Sequence, residues 1–343
     1  MQPTVMSFVL GQWKRLPAPL HADLSGKTVV VVGANSGIGL ETAKHFAQMR
    51  PERLVIACRS SAKGRTAAEH IARDTGYSAE LQPVDLADFA SVKAFAAQLK
   101  DDPIDILVAN AGVVQPEYLT TKDGWEQADT SLQVNHLSTA LICLLLLPNM
   151  HKAAQVHNSH PRLVTTTSGL HMRVRFGEDL LSTPSLLHTL NSPELCTSER
   201  FQVRYHDSKL LNVLFIRALA AHLPATSPLV PACACPGYCV SEIRRNSAFS
   251  DKVVYKLLEL TFGRTAEQGS RQILYAALGP DGRDGHHVRY MRGVYVAHSV
   301  VSEPGDYVIS REGVELQERI WRETLDILAE TAPEVRRIVN EFC

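Results

Sequence analysis

The chain has 343 residues, and its 35 Lys plus Arg stand against 36 Asp plus Glu. So even a balance supplies no global field to hold nucleic acid or an anionic membrane, and any phosphate recognition must be local. A hydrophobic fraction of 45% with 21% charged residues excludes the disordered and fibrous classes and leaves an ordinary globule with ample material for a core.

In chain order, Phe8, Val9, Leu10 and Trp13 precede Lys14 and Arg15 without a basic leader or cleavage site, so residues 1–23 read as an extension packed on the body. A weak membrane-surface anchor is the alternative reading. Thr28 to Val32 (TVVVV) is β-branched and continuously apolar, the pattern of a strand covered on both faces of a parallel sheet. Strand-like runs then alternate with helical ones: Leu54 to Ala57, Ala62 to Arg73, Ala79 to Val84, Ala90 to Leu99 and Ile104 to Ala109. That alternation is the βαβ signature of a doubly wound sheet.

A helical stretch from about Gly124 to Leu147 precedes the strand Arg162 to Thr166, and a helix over Tyr205 to His222 precedes the strand Leu229 to Cys235. Counting Val294 to Val296, seven strands are expected. The segment between Ser168 and Tyr205 holds Pro184, Pro193 and several serines, too irregular for one helix, and reads as an excursion over the mouth of a site. Helices follow near Asp251 to Phe262, Ala266 to Leu278 and from about Gly313. The predicted fold is therefore α/β, a Rossmann-type seven-stranded parallel sheet with helices on both faces. No linker or repeat divides it: one domain over 1–343, with a core at 24–240 and substrate-capping and C-terminal elements at 241–343.

The seven cysteines are odd in number and lie mostly in apolar stretches, which suits reduced thiols and a cytoplasmic location. Cys233, Cys235 and Cys239 lack the paired short spacings of a zinc site, so no metal is expected. The longest apolar run, Ala140 to Leu147, falls far short of the roughly 20 residues of a membrane span. No transmembrane segment is expected from it.

Gly33-Ala34-Asn35-Ser36-Gly37-Ile38-Gly39 follows the first strand and opens an amphipathic helix. Its glycines let the backbone approach a pyrophosphate, which the helix N-terminus would receive. Arg59, with Lys63 or Arg65 nearby, stands where an NAD site carries an acidic residue, so a 2′-phosphate and NADP(H) are expected. Asp85 and Leu86 after the third strand would meet the adenine, and Asn110-Ala111-Gly112 would border the adenosine ribose.

Tyr205 and Lys209 lie four apart and share a helix face. An ammonium beside a phenol favours the phenolate, so the pair can exchange a substrate proton. Ser168, with Thr167 as its nearest rival, could donate to a substrate oxygen. Asn135 sits in an otherwise apolar helix, where its amide either packs or holds a water in the proton path.

GANSGIG, Asp85, NAG, Asn135, Ser168, YxxxK and Pro236-Gly237 occur in the order found in short-chain dehydrogenase/reductases, and over roughly Leu24 to Val296 the chain resembles that family. CRS, YHDSKL and the long gap from Ser168 to Tyr205 are similar to its retinol-dehydrogenase-like branch, the fungal members above all. The resemblance implies a tetrad of Asn135, Ser168, Tyr205 and Lys209, with contacts to the nicotinamide from Pro236, Gly237, Val240 and Ser241. It implies hydride transfer to a ketone or aldehyde, or from an alcohol, of a small lipophilic substrate in natural-product metabolism, by a homodimer or homotetramer. The rival readings are an idle NADP-binding sensor or scaffold and a reductase of a polarised C=C bond. Val32 and Ala109 depart from the family's usual threonine and asparagine, which removes two bracing side chains but no catalytic atom. Gly169 to Arg204 and the region from Glu242 on are expected to shape the pocket, with His171, Met172, Tyr238 and Phe249 as candidate lining.

Overall fold

The structure, a computed structural model, describes residues 10–114, 120–125, 132–195, 198–240, 259, 261–279 and 290–343, without the side chains of 198–203. Its framework is one sheet in the order β3-β2-β1-β4-β5-β6-β7-β8. The strands are β1 (Thr28–Val32), β2 (Arg53–Cys58), β3 (Glu80–Pro83), β4 (Ile106–Ala109), β5 (Arg162–Thr166), β6 (Val230–Cys235), β7 (Val294–Ala297) and β8 (Val300–Ser302). The first seven run parallel. Successive side chains of a strand face opposite sides, so Val30 and Val32 enter one apolar cluster while Val29 and Val31 enter the other. All five β1 residues are buried, which is why its sequence carries no polar alternation.

The helices include α1 (Gly37–Gln48), α2 (Ser61–Thr75), α3 (Phe89–Gln98), α4 (Ser138–Leu145), α5 (Leu147–His157), α6 (Glu178–Leu181), α7 (Leu186–Leu190), α8 (Ser198–His222) and α9 (Ala266–Leu278). Three more, α10 (Asp306–Ile309), α11 (Arg311–Thr331) and α12 (Glu334–Phe342), end the chain. The chain leaves β1 on one side for β2 and β3, then returns to place β4 on the other side of β1. A crevice opens at such a reversal, outside the carboxyl ends of the strands.

Three local outcomes differ from the sequence reading. Of the helix drawn from Gly124 to Leu147, residues 126–131 lie outside the described residues; the rest is a wide π turn, Leu132–Leu137, then α4, and after a break at Leu146 the chain continues as α5. Pro148 stands at the start of α5, where its missing N–H and its ring against the carbonyl four residues back account for the break. An eighth strand closes the far edge through a two-residue turn, His298-Ser299, whose φ angles are 55° and 57°, with no glycine to mark it. The segment expected over the mouth instead docks on α11. Leu186, Leu187 and Leu190 are buried, and the Glu323 carboxylate of α11 accepts the N–H groups of Leu186 and Leu187 at 3.0 and 2.8 Å. Leu144, Leu146 and Leu147 are buried within the chain, among helices that include α12. Most of the helix expected over Asp251 to Phe262 lies outside the described residues.

Candidate active site

A cavity of about 710 Å³ runs along the carboxyl ends of the strands and is lined by residues from the ends of β1 through β7. Gly33, where β1 ends, has φ +85°, and a Cβ there would stand 2.6 Å from the Ala111 backbone. A Cβ on Gly39 would meet the Gly33 carbonyl at 2.1 Å, so Gly39 lies behind the turn and lets helix and strand close up. Gly37 has φ +57° and open space around it. At the N-cap of α1, Ser36 makes no side-chain capping bond, and the first turn holds no acidic residue. The helix N-terminus therefore offers its N–H groups and dipole to an anion in the cavity, a cradle suited to a diphosphate. Asn35, Ser36, Gly37 and Ile38 line this part.

Arg59 and Lys63 line the cavity beyond the end of β2, both exposed, and neither forms an ion pair among the described residues. The Ser60 hydroxyl accepts from Lys63 N at 3.3 Å and caps α2, whose first turn also lacks acids. Asp85 and Leu86 line the neighbouring wall; Asp85 Oδ1 accepts from Ala87 N at 3.0 Å, which holds the carboxylate close to its own backbone. Asn110 is a brace as well as a wall: Nδ2 donates to the Gly33 carbonyl at 3.1 Å and Oδ1 accepts from the Thr166 hydroxyl at 3.0 Å. It ties the ends of β1, β4 and β5 together.

At the centre, the Lys209 ammonium donates to the Thr166 carbonyl at 3.1 Å and stands 5.5 Å from the centroid of the Tyr205 ring. Complete burial pushes its pKa down to about 8. Thr167 turns away, its hydroxyl donating to the Lys209 carbonyl at 3.0 Å. Ser168 is the better-placed hydroxyl: it lines the cavity, and its Oγ accepts from Leu170 N at 3.3 Å, leaving the O–H free to donate elsewhere. His171, expected as lining, is instead buried packing: Nδ1 donates to the Ser168 carbonyl at 2.6 Å and Nε2 accepts from Gly305 N at 3.3 Å. Burial lowers its pKa to about 4, consistent with that neutral tautomer.

Asn135 lies in the π turn behind the cavity wall, fully buried. Its Oδ1 accepts from Val113 N at 2.9 Å, and its Nδ2 donates to Val113 O at 3.0 Å and to the Ser208 hydroxyl at 3.3 Å. A Cβ on Gly112 would stand 3.4 Å from Lys209 Nζ and 3.5 Å from Asn135 Oδ1. The bare glycine thus leaves a hollow bordered by both polar groups.

Ala111, Pro236, Gly237 and Tyr238 line the cavity. Val240 is not among the lining residues: its side chain is exposed and its N–H donates to the Arg264 carbonyl at 2.9 Å. Ser241 and Phe249 lie outside the described residues. Of the Ser168 to Tyr205 excursion, Gly169, Leu170, Met172 and Arg173 reach the cavity, whereas α6 and α7 do not; nor do α11 and α12.

Sequence reasoning missed Gln12, Arg264, Tyr295 and His298, all of which line the cavity. Gln12 pairs with both backbone groups of Tyr238, donating to its carbonyl at 2.9 Å and accepting from its N–H at 3.2 Å. No local pattern could announce a contact between residues so far apart along the chain. Tyr295 was within reach of sequence reasoning, since it stands in the seventh strand, beside Cys233 of β6. The three clustered cysteines have separate partners: the Cys235 sulfur accepts from Gly169 N at 3.1 Å, Cys233 meets Thr165 at 3.5 Å, and Cys239 meets the Pro236 carbonyl at 3.4 Å.

The short chain dehydrogenase family model matches residues 27–174. The short chain dehydrogenase/reductase dmxR8 of Cryptosporiopsis sp. is 32% identical over 96% of this chain and 99% of its own length. The short-chain dehydrogenase/reductase ffsI of Aspergillus flavipes is 32% identical over 96% of this chain and 93% of its own. Among solved structures, an uncharacterized protein from Mycobacterium paratuberculosis superposes with a TM-score of 0.65 at 25% identity, covering 90% of this chain and 97% of that one.

Proposed function

Because the chain belongs to the short-chain dehydrogenase/reductase family, whose members are oxidoreductases that use a nicotinamide cofactor, we propose that it moves a hydride between NADP(H) and the carbonyl or alcohol carbon of a small lipophilic substrate. The observation that carries this reading is the Tyr205 and Lys209 pair, a phenol beside a buried ammonium on the wall of the cavity that also holds the glycine turn.

The residues divide the work by position. The α1 N-terminus and the Gly33 to Gly39 turn hold a diphosphate, and Asp85, Leu86 and Asn110 to Gly112 border the adenosine. Arg59 and Lys63 have no acidic partner among the described residues, which favours a 2′-phosphate over a bare ribose hydroxyl and hence NADP(H) over NAD(H). NADP(H) supplies or accepts the hydride. Tyr205 exchanges the proton with the substrate oxygen, Ser168 donates a hydrogen bond to that oxygen, and Lys209 favours the phenolate. Water in the hollow beside Gly112 would link Lys209 to Asn135 Oδ1, while Asn135 fixes the loop at Val113. Pro236 and Gly237 would face the nicotinamide. Leu170, Met172, Tyr295 and Ala297 give the substrate end an apolar wall, which favours a terpenoid, polyketide or retinoid-like compound. The cysteine side chains buried among the described residues favour a reducing compartment, the cytosol.

The test is NADPH oxidation against a panel of lipophilic aldehydes and ketones, with product analysis to separate C=O from C=C reduction. Tyr205→Phe should lower turnover about 10²- to 10⁴-fold and leave NADPH affinity unchanged. Undiminished turnover in that variant overturns the assignment.

A further inference from the structure

The cavity has a second cationic pole, at the end opposite Arg59 and Lys63. Arg264 precedes α9, and its backbone is pinned between strand ends: Arg264 N donates to the Tyr238 carbonyl, and its own carbonyl accepts from Val240 N, each at 2.9 Å. The side chain is 4% exposed and lines the cavity. One terminal nitrogen, Nη2, donates to the Gly11 carbonyl at 2.7 Å and to His298 Nδ1 at 3.0 Å. Among the described residues, the Nε and Nη1 groups have no hydrogen-bond partner and no carboxylate pairs with the guanidinium. Burying a cation with two unspent donors and no counter-ion is costly, and chains retain such a group where a ligand completes it.

The surroundings fit an anionic ligand. A Cβ on Gly237 would stand 2.9 Å from Arg264 Nη1, so only a bare glycine fits beside that buried nitrogen. Because His298 accepts through Nδ1, its neutral ring carries hydrogen on Nε2, a second donor on the same wall. The carboxylate oxygens nearest in kind, those of Asp85, belong to the opposite end of the cavity, beyond β3.

Position in the sheet separates this pole from the cofactor's phosphates. The diphosphate cradle follows β1, and Arg59 follows β2, whereas Gly237 follows β6 and His298 follows β7. Neighbouring strands lie about 4.8 Å apart, so the β6 end is about 14 Å from the β1 turn, and the β7 end about 10 Å beyond Ser168 at β5. A dinucleotide laid from Arg59 to Tyr205 keeps its phosphates at the β1 and β2 ends and brings only the uncharged nicotinamide carboxamide to Gly237, beside Arg264, so an anion held by Arg264 belongs to the substrate.

We propose that Arg264, with His298 beside it, binds a carboxylate of the substrate, so that the compound oxidised or reduced at Tyr205 is a hydroxy or oxo acid whose carbon skeleton spans from Ser168 to the β7 end. This rests on the redox reading above and names the chemistry of its substrate end. Two buried donors on one wall fix the acid group, and the apolar stretch formed by Leu170, Met172 and Tyr295 takes the skeleton between.

The experiment compares 4-acetylbenzoate with methyl 4-acetylbenzoate, equal in skeleton and different in charge, by calorimetric titration of the full chain saturated with NADP+, where a ketone is not turned over. The wild-type chain should bind the acid at least tenfold more tightly than the ester. Arg264→Gln should bring that ratio close to one, Arg264→Lys should restore part of it, and the ester should bind all three alike. A merely structural arginine would weaken acid and ester together and leave the ratio standing. Equal binding of acid and ester by the wild-type chain, no binding of the acid, or an acid preference that survives Arg264→Gln overturns the proposal. So does a loss of NADP+ affinity in Arg264→Gln with the ratio intact, which would assign the guanidinium to the cofactor. Failure of the redox reading is read separately, as absence of NADPH oxidation with every neutral and acidic carbonyl compound tried.

Discussion

Lys209 Nζ donates to the main-chain carbonyl of Thr166 at 3.1 Å, so the ammonium beside Tyr205 is held by the last residue of β5. A buried cation with a neutral acceptor is an electrostatic liability, and its lowered pKa, about 8, expresses that. Between about 8 and the ordinary lysine value near 10.4, the unfolded chain holds this proton and the folded chain does not. Folded stability attributable to Lys209 therefore rises with pH across that window, by up to about 1.4 kcal/mol per pH unit. Lys209→Met lacks the effect. Denaturant titrations from pH 7 to 9.5 should show the wild-type chain gaining on Lys209→Met as pH rises, while the variant loses turnover at least about 10²-fold; parallel stability curves would contradict the buried-cation account.

If the cofactor is NADP(H), as proposed, Arg59 would offer its 2′-phosphate charge-assisted hydrogen bonds, each worth about 1.5 to 3 kcal/mol. Arg59→Asp should lower kcat/KM for NADPH about 10- to 100-fold and raise that for NADH, because the new carboxylate repels the phosphate and can accept from a ribose hydroxyl. An unchanged ratio of the two cofactors would move phosphate recognition to Lys63.

Gly33→Ala places a methyl 2.6 Å from the Ala111 backbone at a residue with φ +85°. The left-handed backbone alone costs about 1 to 2 kcal/mol, and the clash adds to it by parting β1 from the loop after β4. The variant should unfold at lower denaturant and bind NADPH weakly. Full NADPH affinity in a stable Gly33→Ala chain would show that the turn is not tightly held.

Glu323 is 13% exposed and bonds four groups: the Leu186 and Leu187 N–H, the Ser185 hydroxyl and the Arg319 guanidinium. Burial raises its pKa, but the Leu187 N–H and Arg319, with the other donors, outweigh burial and hold it below the ordinary value. Its stabilisation is thus present above the unfolded value near 4.3 and lost as pH falls through the lower folded value. Glu323→Ala should cost about 2 to 4 kcal/mol at pH 7, with the gap to wild type narrowing below pH 4. Because α7 does not line the cavity, kcat at 25 °C should change less than twofold; a large fall in kcat would give the docked segment a part in the site.

Some of this protein is written locally. The five residues of β1 need no partner to announce a strand buried on both faces, the glycine turn carries its own backbone requirement, and the four-residue spacing of Tyr205 and Lys209 puts them on one face of any helix. Periods of two and 3.6 residues are short-range properties, so β1, β4 and β5 end where their apolar runs end. Where two elements met without a marker, reading failed: the β7 to β8 turn uses His298 and Ser299 at positive φ in place of glycine, and the π turn around Asn135 follows no helical period.

Local order in the chain determined the strands, the glycine turn after β1 and the shared face of Tyr205 and Lys209, because each depends on backbone geometry within a few residues. Only tertiary packing decided that Asn135 clasps Val113, that α6 and α7 lie against α11 rather than across the cavity, and that Arg264 stands at the β6 end with Gln12 and His298 around it. Those contacts join positions up to 250 apart in sequence, and which distant side chain satisfies a buried polar group is settled when the layers close on one another.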